Sequence, residues 1–410
     1  MRILFLWDYV ARTGFSTVSK NISTHLKKHF GANLKSDIVA VNYFGEDYWE
    51  DENTFVTSAQ LNDDNNHEFG LYHFMKRIKL IDYDGIFICQ DIGVIAPIIE
   101  LLDFLKKEKA EQKRKIFKSI IYFPVDGNMV YEHVKDLHFF DLAVTYTEFG
   151  RNEIFKHRPE LKGKIKVIPH GNNPKDFYPL TEDEKAIFRK EYFESNADKF
   201  IITNVNRNQP RKDIPNTIFG FMEARKIWDE RLPKPFLYLH MHPDDPLGWN
   251  IRVIMKYTNL VEDVDYKLLP KEFENTMVDV PTLNKIYNVS DVFITTTLGG
   301  GWELSNTESM ACGLPVICPY HTCLVEVSNY GKNAYTLQTL YPFCSPVDNN
   351  IREQTDIYEI ADTLLHVAKM KYGLIESDIP IKTKAAQEWV KKLEWKEVCK
   401  IWIDYFKKIY

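Results

Sequence analysis

The chain has 410 residues, 44% of them hydrophobic. That is enough apolar material for two cores, so two domains of roughly 170 to 230 residues are the natural division. A net charge of −6 argues against wholesale nucleic-acid binding, and no run approaches the roughly 20 apolar residues of a membrane span. The six cysteines form no CxxC pair and show no metal-ligand spacing, which points to reduced thiols and a cytoplasmic protein.

Strand-like runs open the chain and alternate with helical segments: Ile3 to Trp7, Ile38 to Val41, Gly85 to Cys89, Ser119 to Phe123, Leu142 to Thr145 and Ile165 to Ile168. The segments between them are long enough for crossover helices, the pattern of a parallel, doubly wound α/β sheet. The first strand's apolar run is too short for a signal peptide, with Asp8 following at once. Gly14 sits at the turn from that strand into a helix, where a ligand would meet the sheet edge. Pro124-Val-Asp-Gly-Asn128 follows the strand ending at Phe123. It offers Asp126 as a base or hydrogen-bond acceptor, or simply as half of a turn-forming Asp-Gly pair. Residues Lys106 to Lys118 carry seven basic side chains against two acidic ones. Such a run is a solvated helix end or a patch for an anionic acceptor or membrane headgroups.

Val167-Ile-Pro-His-Gly-Asn-Asn-Pro-Lys-Asp-Phe-Tyr-Pro179 leaves a strand and breaks into a Gly/Pro/Asn-rich connector, the place for a domain boundary. We expect an amino-terminal domain over residues 1–173 and a second over 174–390. A carboxyl-terminal helix over 391–410 is expected to return to the first domain through its Trp395, Val398, Trp402, Phe406 stripe. The second α/β series opens with Phe200 to Val205, then Asn206-Arg-Asn-Gln-Pro-Arg-Lys-Asp213, then a helix. Arg207, Arg211 and Lys212 thus share one strand-to-helix loop, a grip suited to a diphosphate. His240 and His242 form an isolated His-x-His with no third ligand at a usual spacing, and no metal is expected.

The stretch 295–317 (TTTLGGGWELSNTESMACGLPVI) reads as strand, glycine loop, helix and second strand. Gly299, Gly300 and Gly301 let the backbone turn sharply. Ser305 and Glu308 have the spacing of a capping box. A helix amino terminus at the end of a parallel sheet is an anion site, and Glu308 would stand one turn in.

Three segments resemble the retaining glycosyltransferases of family 4, which have the GT-B fold. Val167 to Pro179 looks like that family's interdomain signature. The 206–213 loop looks like its GR(x)4K diphosphate loop, and Gly300 to Val316 resembles its E-x7-E region. Thr145-Tyr-Thr-Glu-Phe-Gly-Arg151 adds a weaker match. The resemblance implies two doubly wound Rossmann-like domains facing across a cleft, with the carboxyl-terminal helix packing back across the junction. It also implies transfer of a sugar from a nucleotide-diphosphate donor, with retention, without a metal or other cofactor. Arg207 and Lys212 would neutralise the diphosphate and Glu308 would hold the ribose. The stretch Gly301, Trp302, Leu304, Ser305, Asn306 and Thr307 would line the donor, with Gly14 reaching it from the first domain.

Two departures stand out. The first glutamate of E-x7-E falls on Gly300, so Glu303 is the candidate to replace it. The family's usual histidine after an amino-terminal strand is not evident, and Asp126 is the candidate for its contact. The acceptor is left open among glycan, glycolipid, protein and modified nucleic-acid base. A nucleotide-sugar epimerase, or a non-catalytic protein that binds nucleotide sugar or glycan, is the alternative.

Overall fold

The computed structural model describes residues 1–11, 13–60, 68–271, 278–345 and 350–410. The chain divides into two compact units. The first comprises Met1–Val125, Met129–Gly171 and Trp395–Tyr410; the second comprises Asp126–Asn128 and Asn172–Glu394.

The first unit is built on eight strands: β1 (Arg2–Asp8), β2 (Lys35–Val41), β3 (Tyr48–Asp51), β4 (Thr54–Ser58), β5 (Gly85–Cys89), β6 (Lys118–Phe123), β7 (Leu142–Thr145) and β8 (Ile165–Val167). Their order is β3-β4-β2-β1-β5-β6-β7-β8. All neighbours are parallel except the β3–β4 pair at the edge. β1 and β5 are buried almost throughout, which explains their uninterrupted apolar runs: each face of the sheet is covered, so no alternation is needed. Six of these strands match the sequence-based expectation. β3 and β4 do not: Tyr48-Trp-Glu-Asp51 is largely exposed and carries no apolar run, and the mostly buried Thr54-Phe-Val-Thr-Ser58 holds only two apolar residues. The strand order reverses between β1 and β5. The helix Gly14–Phe30 begins at that reversal, capped by Thr13 accepting from the Ser16 N–H.

The last helix, Trp395–Ile409, belongs to this unit. Trp402 and Phe406 are fully buried, with Trp402 edge-on to Phe87 and to Tyr122 at centroid distances of 5.1 and 4.9 Å. Gly171 is required by this helix: a Cβ there would lie 2.4 Å from the Trp395 ring.

The second unit holds six parallel strands: β9 (Phe200–Val205), β10 (Pro235–His240), β11 (Tyr266–Leu268), β12 (Val292–Ile294), β13 (Val316–Pro319) and β14 (Tyr335–Leu337). Their order, β11-β10-β9-β12-β13-β14, is the dinucleotide-fold order 3-2-1-4-5-6. An antiparallel hairpin, β15 (Thr339–Cys344) with β16 (Ile351–Thr355), follows. Asp291 anchors the sheet's centre. Buried at the start of β12, it accepts from the Ile201 N–H at 2.6 Å and pairs with Arg189 at 2.7 Å and with Lys371. No helix among the described residues is long and apolar enough to cross a membrane.

Because Trp402 contributes a large side chain to the first unit's core, Trp402→Ala should lower unfolding stability by about 3–5 kcal/mol, the usual range for an emptied aromatic site. Urea denaturation followed by tryptophan-independent circular dichroism measures it.

Candidate active site

In a doubly wound sheet, ligands meet the carboxyl ends of the strands where the strand order reverses. In the second unit that point lies between β9 and β12. The loops leaving these two strands are residues 206–213 and 295–303, the two segments singled out by sequence.

β12 ends at Ile294, earlier than its β-branched run suggests, and the three threonines that follow are fully buried. Their hydroxyls do the work of joining the two loops. Thr296 donates to the Asp213 carbonyl at 2.9 Å and Thr297 to the Arg211 carbonyl at 3.1 Å, while the Leu298 N–H donates to Arg211 O at 2.8 Å. On the other side, Asn208 donates to the Trp249 carbonyl at 2.6 Å and accepts from the Trp249 N–H at 3.0 Å, tying the cation loop to residues 242–249. Asp213 closes the loop at φ +47°, and burial pushes its carboxyl up to about 6 although Gln354 donates to it.

The three cations of this loop do not act together. Lys212 is buried and its ammonium meets the carboxylate of Glu303, itself 2% exposed. Arg211 reaches the other oxygen of the same carboxylate at 3.4 Å and the Gly299 carbonyl at 3.3 Å. Arg207 turns elsewhere: its Nε donates to Asp245 at 3.1 Å, and its side chain is about half exposed. The sequence paired Arg207 with Lys212; the geometry brings Arg211 beside Lys212. Burial pushes the Lys212 ammonium below its ordinary value, and Glu303 pulls it back up.

The glycine loop is closely enclosed. A Cβ on Gly299 would lie 2.1 Å from the Asp126 carbonyl, and one on Gly300 would lie 2.2 Å from Glu303 Oε1. The Gly300 N–H donates to Thr322 Oγ1 at 3.2 Å. Thr322 is a β-branched residue held at φ +48°, a strained conformation of the kind that collects at functional sites.

The helix Leu304–Ala311 starts before Ser305, with Glu303 rather than Ser305 at its cap position. The capping box does not form. Glu303's side chain caps nothing because it is drawn to the two cations, and Glu308 instead accepts from the Tyr287 hydroxyl at 2.8 Å. Gly301 is buried, Leu304 and Ser305 are half-buried, and Thr307 folds its hydroxyl back onto the Leu304 carbonyl at 2.8 Å. Trp302 stacks against Trp389 with centroids 6.4 Å apart. Asn306 is fully buried in the first turn, and neither its amide oxygen nor its nitrogen has a hydrogen-bond partner among the described residues. A buried amide without a partner is costly, and one beside a helix amino terminus is what a ligand would satisfy.

Asp126 groups with the second unit and is not an open base. Arg352 of β16, 2% exposed, donates to its carboxylate at 3.0 Å, and Arg211 lies 4.0 Å away. Gly14 belongs to the first unit, at the start of its first helix. His240 and His242 serve local hydrogen bonds, to the Tyr238 hydroxyl at 2.9 Å and from the Asp244 N–H at 3.0 Å. The basic run 106–118 is largely neutralised within its own unit. Lys106 and Lys118 pair with Asp141, Lys107 with Asp103, Lys109 and Arg114 with Asp82, and Lys115 with Asp84.

Arg352, Tyr287 and Thr322 lie outside the motifs, and no local signal marks them. Arg211 was legible beside Lys212.

No family model matches the chain. It is 27% identical over 193 residues to the UDP-forming alpha,alpha-trehalose-phosphate synthase of Encephalitozoon cuniculi, covering 45% of this chain and 41% of that protein. It is 28% identical over 196 residues to a probable sucrose-phosphate synthase of Thermosipho melanesiensis, covering 47% and 41%. The matches thus span about two fifths of the length of these curated relatives. Among solved structures, that of Anabaena HepE in complex with UDP and glucose superimposes with a TM-score of 0.66 over 100% of both chains at 12% identity.

Burial pushes the Glu308 carboxyl up to about 7, with the Asp176 charge adding to the rise and the Tyr287 hydroxyl opposing it. A carboxyl raised on folding holds its proton longer in the folded state, so its contribution is complete below the unfolded value near 4.5 and is lost as pH rises towards 7. Partial exposure of the side chain reduces the effect to about 1–2 kcal/mol. Between pH 4.5 and 7, wild type should therefore lose about that much stability relative to Glu308→Gln in parallel urea titrations.

Two Rossmann-like domains, each a doubly wound and largely parallel sheet, give this chain the GT-B fold.

Proposed function

We propose that the chain is a retaining glycosyltransferase of the family 4 type, transferring a sugar from a nucleotide-diphosphate donor held by the second unit. The observation that carries this reading is the meeting, at the second sheet's reversal point, of a cation loop with the amino terminus of the helix Leu304–Ala311. The leaving diphosphate gains negative charge during transfer, and preorganised cations and N–H dipoles stabilise that charge without reorganisation. Lys212 and Arg211 stand closest to the glycine loop. Arg207 is half exposed and reaches an incoming phosphate by exchanging its contact with Asp245. Glu308 takes the nucleotide ribose, and the N–H groups of residues 301–305 take the sugar.

The names of the similar proteins support this reading: one relative is a UDP-forming synthase, and the Anabaena structure holds UDP and glucose. Uridine nucleotides are therefore the first donors to try. The first unit is assigned the acceptor, whose chemistry is open among glycan, glycolipid, protein and modified base. The basic run 106–118 is a weak candidate for an anionic acceptor or membrane surface, since most of its charges already have carboxylate partners. We assign the charge neutralisation to side chains rather than to a metal, and the protein to the cytoplasm; transfer that persists in EDTA is the result expected.

A donor screen scored by thermal shift comes first, because a ligand of the folded state raises the melting point by mass action. Tight donor binding with neither transfer nor slow hydrolysis would favour the non-catalytic alternative; interconversion of the sugar without transfer would favour an epimerase. Lys212→Ala and Arg207→Ala should each weaken donor binding and transfer by at least about tenfold, the loss of one charge-assisted contact. Unchanged kinetics in both variants would overturn the assignment.

A further inference from the structure

Glu303 is the least expected charge in this site. A carboxylate beside the place proposed for a diphosphate repels it, yet Glu303 is almost fully buried there. Its position is specific. At the cap of the helix Leu304–Ala311 its side chain caps none of the first-turn N–H groups and turns instead to Lys212 and Arg211. The carboxylate fills the volume that a side chain at position 300 would enter, and a Cβ there would have to displace it from 2.2 Å.

Around this point the three cations Arg211, Lys212 and Arg352 stand against the two carboxylates Glu303 and Asp126, leaving one positive charge in excess. A bare nucleoside diphosphate thus meets a cradle whose positive charge is largely cancelled. A nucleotide sugar differs in bringing hydroxyl groups, and an ionised carboxylate, which only accepts hydrogen bonds, can take two or more of them.

We propose that Glu303 discriminates the nucleotide sugar from the bare nucleotide: its charge holds down affinity for an unsubstituted diphosphate, and its oxygens reward the sugar's hydroxyls. This rests on the transferase reading and adds to it a repulsive element that favours the donor over the product left after transfer. Once the sugar has gone, the carboxylate still holds Lys212 and Arg211 but has no sugar hydroxyl to accept from, which speeds release of the nucleotide.

The test is calorimetric titration of wild type, Glu303→Gln and Gly300→Ala with UDP, GDP, UDP-glucose and GDP-mannose, after circular dichroism has confirmed folding. The readout is the ratio of nucleotide to nucleotide-sugar Kd. Glu303→Gln removes the charge at nearly constant shape; it should bind the bare nucleotide about tenfold tighter, and the ratio should fall by at least about tenfold, the worth of one charge-assisted contact. Gly300→Ala keeps the charge but pushes the carboxylate out of its place, so its ratio should fall as well. A folded Glu303→Gln with unchanged or weaker nucleotide affinity, or with an unchanged ratio, overturns the proposal. If that variant does not fold, an unchanged ratio in Gly300→Ala overturns it. Wild type that binds and transfers while both ratios stay put defeats this inference alone, whereas wild type that binds no nucleotide or nucleotide sugar defeats the transferase reading with it.

Discussion

Buried threonine hydroxyls hold the two loops of the second unit's reversal point in register, and the candidate site depends on that bond pattern. Thr296 and Thr297 each reach a main-chain carbonyl of the cation loop. A threonine hydroxyl inside a dry core must find an acceptor or cost about 1–3 kcal/mol. Here the acceptors are shared carbonyls at the tight turn of residues 211–213: Arg211 also takes the Leu298 N–H, and Asp213 also takes the Asn216 N–H at 3.0 Å. One set of hydrogen bonds therefore satisfies both sides and sets the distance between Lys212 and the glycine loop.

With the loops fixed, charge decides the rest. Lys212 and Glu303 are both buried, and neither would be tolerable alone, because removing one partner of such a pair costs several kcal/mol. Arg211 binds the same carboxylate from the more exposed side, and Arg352 restrains Asp126. The cluster is a network in which each charge has a partner, yet one positive charge remains in excess. That excess is what the proposed diphosphate site calls for. Asn306, buried with its amide unsatisfied, and Thr322, held at positive φ, are the local costs of the same arrangement.

The first unit follows different constraints. Its sheet is closed on one side by a helix drawn from the far end of the chain, whose aromatic stripe enters between Phe87 and Tyr122. The close passage at Gly171 shows how tightly that helix is seated. The basic run that looked like an interaction surface is paired with Asp103 on the same helix and with Asp82, Asp84 and Asp141, which tie the end of that helix and the segment after it to neighbouring turns. A dense run of like charges in a sequence says nothing of the carboxylates that folding brings opposite it.

By itself, the sequence determined the alternation of buried strands and helices, the two glycine- and cation-bearing loops, and the stripe of the last helix. Periodicity and turn chemistry are local, and local interactions suffice to write them. Tertiary structure alone decided that Arg211, and not Arg207, stands beside Lys212, and that Glu303 abandons its cap for them. It also decided that Arg352 closes on Asp126 and that the threonines after β12 are loop staples, not strand. Each of these depends on which groups meet across the sheet's reversal point. Buried charges and hydroxyls choose partners by proximity in space, which spacing along the chain does not encode.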